Sequence, residues 1–166
     1  MSGSWIAPKV GCFKFNVDAA VKGSFGEANV GGILRDHNGT VLIRFSESIR
    51  LSDPTGVELV AILKACQVFS SSRWFNTSNL FIETDSLLAV NWIENLRLSP
   101  TCFTNLVQNR NSFRMLYKLK VCFAFREQNC KAHQLAQEGI SRKHSLYVSR
   151  IRYSADVRLV PAPALG

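Results

Sequence analysis

Phe13-Lys14-Phe15-Asn16-Val17-Asp18 alternates apolar and polar residues without a break. In an extended chain successive side chains point to opposite faces. Phe13, Phe15 and Val17 therefore share one face, and Lys14, Asn16 and Asp18 the other. The apolar face belongs against a core. The polar face ends on Asp18, and a carboxylate in the first strand of a core sheet is costly unless it is paired or metal-bound.

Working outward, Lys22-Gly23-Ser24-Phe25-Gly26 is a glycine-marked turn, and Val30-Gly31-Gly32-Ile33-Leu34-Arg35 reads as a second strand. His37-Asn38-Gly39-Thr40 contains Asn-Gly, a strong hairpin signal, and leads into a third strand, Val41-Leu42-Ile43-Arg44-Phe45. The chain thus opens with an antiparallel meander. Asp53-Pro54 stops the extended pattern. From Glu58 to Phe69 the apolar residues Leu59, Ile62, Leu63, Cys66 and Phe69 have helical spacing. Leu80–Thr84 reads as a strand, Ser86–Ile93 as a helix and Thr104–Leu116 as a basic helix. Lys120–Phe125 reads as a fifth strand and Asn129–Ile140 as a last helix. This order predicts an α/β fold, a five-stranded mixed sheet with three antiparallel N-terminal strands and helices on both faces. The expected organisation is an N-terminal segment over residues 1–10, one domain over 11–141, and a basic, Pro/Ala-ending, poorly ordered tail over 142–166.

The 166 residues suit one domain, and 46% hydrophobic residues suffice for a core. No run of eighteen apolar residues exists, so no membrane span is expected. The start, Met1-Ser2-Gly3-Ser4-Trp5, lacks a basic stretch leading into an apolar one, so no secretory signal is expected. Five cysteines, an odd number without C-x-x-C spacing, read as reduced thiols of an intracellular protein, nuclear or cytoplasmic, and not as a zinc site. The net charge of +8 is uneven: from residue 100 onward eleven basic residues face three acidic ones, which leaves the first part neutral. A basic half favours a polyanion, nucleic acid above all, although a solvated basic face fits the same count.

Three acids fall at element ends: Asp18 at the end of the first strand, Glu58 in the first turn of the first helix, Asp85 directly after the fourth strand. Each of the latter two has a structural alternative. Asp85 fits a cap for the helix that begins at Ser86, and Thr55-Gly56-Val57-Glu58 fits a capping box. If all three converged they would repel one another, and divalent cations are the usual remedy.

Together with these acids, several fragments stand in order: Trp5-Ile6-Ala7-Pro8, Gly11, Lys14–Asp18, Gly31–Asp36, Val57-Glu58-Leu59, Glu83-Thr84-Asp85-Ser86, and Arg126-Glu127-Gln128-Asn129 followed by Ala132 and Leu135-Ala136. In these residues the chain resembles, from about Trp5 to Ile140, the ribonuclease H-like domain of plant retroelement-derived proteins, also called the reverse-transcriptase-like domain. The resemblance implies a ribonuclease H-type enzyme that hydrolyses the RNA strand of RNA–DNA hybrids with two Mg²⁺ or Mn²⁺ ions; a monomer is expected. It implies metal-binding and catalytic roles for Asp18, Glu58, Asp85 and His133. Asp18 would bridge both ions, Glu58 and Asp85 would hold the ion on the leaving-group side, and the other ion would activate a water.

The fourth position departs from the common pattern. Relatives with four acids have Asp in an Asn-x-x-Ala-Asp run, whereas here the run is Asn129-Cys130-Lys131-Ala132-His133. Imidazole suits Mn²⁺ better than Mg²⁺ and can also carry a proton. Alternatively, His133 is an exposed helix residue, the second ion is lost, and the chain is a weakened or inactive nucleic-acid-binding module domesticated from a retroelement. A protein-interaction domain keeping only the fold is a third reading, against which the joint retention of Asp18, Glu58 and Asp85 argues. Substrate contacts are expected at Gly23, Ser24, Ser86 and Asn129. Pro54 and Leu87 stand near where some active relatives place amides, which points away from tight hybrid recognition.

Overall fold

The computed structural model describes residues 3–23, 27–50, 56–75, 79–95, 119–142, 144–150 and 157–159. Its first strand, β1 (Cys12–Lys22), contains the alternating stretch and pairs antiparallel with β2 (Glu27–Arg35), which pairs antiparallel with β3 (Val41–Arg50). Helix α1 (Val57–Ser70) then carries the chain across to β4 (Asn79–Thr84), which lies parallel to β1 on its other side. Helix α2 (Leu87–Glu94) follows, then β5 (Lys120–Phe123), parallel to β4, and helix α3 (Cys130–Ile140).

The sheet does not stop there. β6 (Leu146–Arg150) pairs with β3, and β7 (Val157–Leu159) pairs with β6, so the order is β5-β4-β1-β2-β3-β6-β7. Seven described strands replace the expected five, and the region expected as a poorly ordered tail carries two of them. The reason is that β3 would otherwise be an edge with unpaired backbone groups, which Leu146–Ser149 satisfies. The expected helix over 104–116 lies outside the described residues. No described helix is long and apolar enough to cross a membrane.

Adjacent glycines in β2 report how the sheet is covered. A side chain on Gly31 would come within 2.6 Å of the Ala136 backbone nitrogen in α3, whereas one on Gly32 would meet the rings of Phe45 and Phe15. Neighbouring residues of a strand face opposite ways, so α3 covers one face at close range and the main core fills the other. That core joins Phe15, Val17, Val30 and Phe45 to α1, where eleven of the fourteen residues are buried. Lys64 of α1 is fully buried and forms an ion pair with Glu47 of β3. A smaller cluster of Ile33, Ala132 and Leu135 seats α3 on the opposite face.

Candidate metal centre

Parallel pairing sets two of the acids side by side. Val17 lies opposite Thr84 in the β1–β4 register, so Asp18 and Asp85, each one residue further on, emerge as neighbours. Helix α1 starts close to the same point and brings Glu58 in its first turn. One carboxylate oxygen from each of Asp18, Glu58 and Asp85 lies within 4.8 Å of the others.

Neither capping alternative describes these acids. Ser86 caps α2, its Oγ accepting from the Ala89 N–H at 3.2 Å, so Asp85 is free of that task. The N-cap of α1 is Gly56, which has no side chain to take part in a box, and Thr55 lies outside the described residues.

The electrostatics are those of a cation site. Burial first, then the charges of Asp18 and Asp85 and a hydrogen bond with Asp18, push the Glu58 carboxyl up to about 9, against the pull of Arg126. Burial and the charge of Asp18 likewise raise Asp85, and Arg126 again opposes them. Glu58 Oε2 is buried with no hydrogen-bond partner. A hard divalent cation would supply the missing positive charge and take up that oxygen, so the donor set fits such a cation.

His133 stands beside this group but not within it. It lies one turn into α3, and its Nδ1 is 2.7 Å from Asp18 Oδ2. The side chain is one-third exposed and faces the acids, not bulk solvent alone. Asp18 itself is 1% exposed, and its other oxygen accepts from the Ala19 N–H at 2.8 Å.

The expected substrate contacts separate. Gly23 is exposed in the turn after β1 with a φ of +67°, a conformation that glycine adopts without strain. Ser24 lies outside the described residues, as do Pro54 and most of the basic 110–120 stretch. Ser86 is part-buried as the α2 cap. Asn129 is a correction: it is fully buried, its Nδ2 donates to Val17 O at 2.8 Å and its Oδ1 accepts from Asn16 at 3.1 Å. Both ends of its amide are used to seat α3 on β1, and its full burial leaves no surface for a direct substrate contact.

Arg126 is the residue that sequence reasoning missed at this centre. Its Nε forms an ion pair with Asp85 Oδ2, and its Nη1 lies 2.9 Å from His133 Nδ1. The available signal was its place in the Arg126-Glu127-Gln128-Asn129 fragment, four residues before the start of the helix that carries His133.

A family model described as reverse transcriptase-like matches residues 16–139. Among solved structures, RNase H1 from the halophilic archaeon Halobacterium salinarum NRC-1 is 21% identical with a TM-score of 0.63, covering 78% of this chain and 98% of that one. LC11-RNase H1, solved in complex with an RNA/DNA hybrid, is 20% identical with a TM-score of 0.66, covering 77% of this chain and 96% of its own. The N-terminal RNase H domain of rv2228c from Mycobacterium tuberculosis is 15% identical with a TM-score of 0.62, covering 78% and 93%. At these identities the likeness is one of fold. No curated protein matches the chain.

Proposed function

The chain belongs to the reverse transcriptase-like family, and on that premise we propose that it is a metal-dependent ribonuclease cutting the RNA strand of RNA–DNA hybrids. One observation carries the reading: three carboxylates that the sequence separates by tens of residues converge within 4.8 Å, where burial and their mutual repulsion push the Glu58 carboxyl up. Asp18, Glu58 and Asp85 would hold Mg²⁺ or Mn²⁺, with His133 at the flank where a second ion would sit. When bound, such ions stabilise the attacking and departing oxygens of an in-line phosphodiester displacement.

The chain's own residues supply the rest. Ala19 N–H and His133 Nδ1 hold the two oxygens of Asp18 in place. With its proton on Nδ1, His133 donates to Asp18, while its Nε2 lone pair faces the Arg126 guanidinium at 3.3 Å and could accept a proton from water only once Arg126 has moved. The near-complete burial of Asp18 excludes water from one side of the cluster and strengthens its hold on a cation. Hybrid recognition would fall to the Gly23–Ser24 turn and the basic C-terminal part, through phosphate and 2′-hydroxyl contacts.

A second reading, a binding module that has lost cleavage, is favoured by His133 standing where four-acid relatives have Asp and lying outside the compact ligand group. Labelled RNA–DNA hybrid, single-stranded RNA and duplex DNA, each with Mg²⁺ or Mn²⁺, separate the two. The nuclease cuts only the RNA of the hybrid and favours Mn²⁺, and His133→Asp raises cleavage in Mg²⁺. Salt-sensitive hybrid binding without cleavage in either metal, by the parent and by His133→Asp alike, would establish the binding module instead.

A further inference from the structure

The proposed function leaves Arg126 without a role. Its backbone is fixed in the turn between β5 and α3, where Arg126 O accepts from the Asn129 N–H at 3.0 Å. Its side chain is 59% exposed, yet it ends on Asp85, whose side chain is 8% exposed. The Nη1 atom also lies 2.9 Å from His133 Nδ1 and 3.3 Å from Nε2, and His133 in turn contacts Asp18. A single cation therefore touches both flanks of the acid cluster, directly at Asp85 and through the imidazole at Asp18.

We propose that Arg126 is a displaceable internal counter-cation, which covers Asp85 in the metal-free chain and which a divalent ion must move aside to bind. The inference rests on reading Asp18, Glu58 and Asp85 as the metal site. A guanidinium cannot deprotonate under ordinary conditions, so it cannot vacate a carboxylate by titrating; it leaves only by moving. Its exposure makes the movement inexpensive, because the long side chain can swing into water or onto a nucleic-acid phosphate without uncovering core. The contact engages a lone pair that a metal ligand needs. Arg126 and the metal thus compete for Asp85 directly.

The test is Mn²⁺ titration of the full chain, followed through the electron paramagnetic resonance signal of the free ion, for the parent, Arg126→Gln, Arg126→Lys and Lys131→Gln. Lys131 is exposed on α3 and controls for the general loss of one positive charge. Arg126→Gln should bind Mn²⁺ about fivefold more tightly than the parent, the scale of one part-exposed ion pair. Arg126→Lys and Lys131→Gln should stay within about twofold of the parent. Arg126→Ala provides the same comparison if the Gln variant does not fold. Equal or weaker binding by Arg126→Gln or Arg126→Ala, or an equal gain from Arg126→Lys or Lys131→Gln, would overturn the counter-cation role while leaving the metal site intact. No Mn²⁺ binding by any of these chains would overturn the metal-site reading and this inference with it.

Discussion

Strand β1 carries two polar clusters on one face, and they differ in kind. At Lys14 and Asn16 the groups satisfy one another. Lys14 Nζ lies 2.7 Å from Glu83 Oε1 and 2.5 Å from Ile6 O, and Asn16 Nδ2 donates to Glu83 and to Asn129 while its Oδ1 accepts from Arg35. The Arg35 guanidinium stacks on Trp5 at 3.9 Å from the ring centroid, which ties the N-terminal segment to the sheet. Two residues further along, Asp18, Glu58 and Asp85 gather three carboxylates against Arg126 as the counter-charge, and burial together with the neighbouring acids pushes the Glu58 carboxyl up. A buried polar group is normally matched by its neighbours. The first cluster pairs each of its charged groups, leaving only the Arg35 Nε and Trp5 Nε1 donors without a partner, and serves the fold. The second departs from that rule, and that departure is the ground for reading its acids as the metal site.

The largest expected effect is on activity. Asp18→Asn should reduce hybrid cleavage by more than about 100-fold, since even supporting residues around a metal typically cost 10- to 100-fold. The same substitution should raise the melting temperature of the metal-free chain, because it relieves repulsion. A metal-free Asp18→Asn protein less stable than the parent would erase the contrast between the clusters.

In the matched cluster the sign reverses. Lys14→Met leaves the part-buried Glu83 without its cation and should cost roughly 3 kcal/mol in denaturant unfolding, the lower end for a broken buried pair. Mn²⁺ affinity should not change, and a parallel loss of metal binding would show that the two clusters are not separable.

The pH dependence sharpens the contrast. Glu58 has a folded-state pKa raised to about 9 from an ordinary 4.5. A raised carboxyl binds more protons folded than unfolded, so its contribution to stability is full below about pH 4.5 and is lost as pH climbs toward 9. The melting temperature of the metal-free chain should therefore fall over that window, and the raised Asp85 adds in the same direction. Glu58→Gln should flatten the profile. Saturating Mg²⁺ or Mn²⁺ should stabilise the parent most at the alkaline end, where metal and proton no longer compete. A profile unchanged in Glu58→Gln would assign the slope elsewhere.

The smallest effect belongs to His133. As a flanking group that orients Asp18, its replacement by Ala should lower Mn²⁺-dependent cleavage by about tenfold, the lower end for a residue supporting a metal ligand. Full activity of His133→Ala in both metals would make it a bystander.

The contrast also explains what the sequence could show. Alternation in Phe13–Asp18 was enough to give β1 its buried face, and helical spacing after Glu58 gave α1, because both patterns follow from backbone geometry. The acids could be suspected from their places at element ends, and the family fragments ordered them into one site. Arg126 was not legible as part of that site, since its pairing with Asp85 arises from a loop end meeting a strand end 41 residues earlier. Asn129 misled for the opposite reason: a polar residue heading a helix reads as available to a ligand, and only the packing of α3 on β1 shows it enclosed. The strands after Ser141 were missed because Leu146–Arg150 is short and lies in a basic, low-periodicity region; its order comes from the edge of β3, a tertiary cause.

The most direct test of the central claim, that the unmatched acids form the metal centre of a hybrid ribonuclease, is cleavage of an RNA–DNA hybrid labelled on its RNA strand. Parent and Asp18→Asn chains are compared in Mg²⁺, in Mn²⁺ and in chelator. The expected result is RNA cut by the parent with divalent metal present, to products ending in 5′-phosphate and 3′-hydroxyl, and no cutting in chelator or by Asp18→Asn. An intact hybrid with the parent in both metals, or cutting that persists in chelator or in Asp18→Asn, would contradict it.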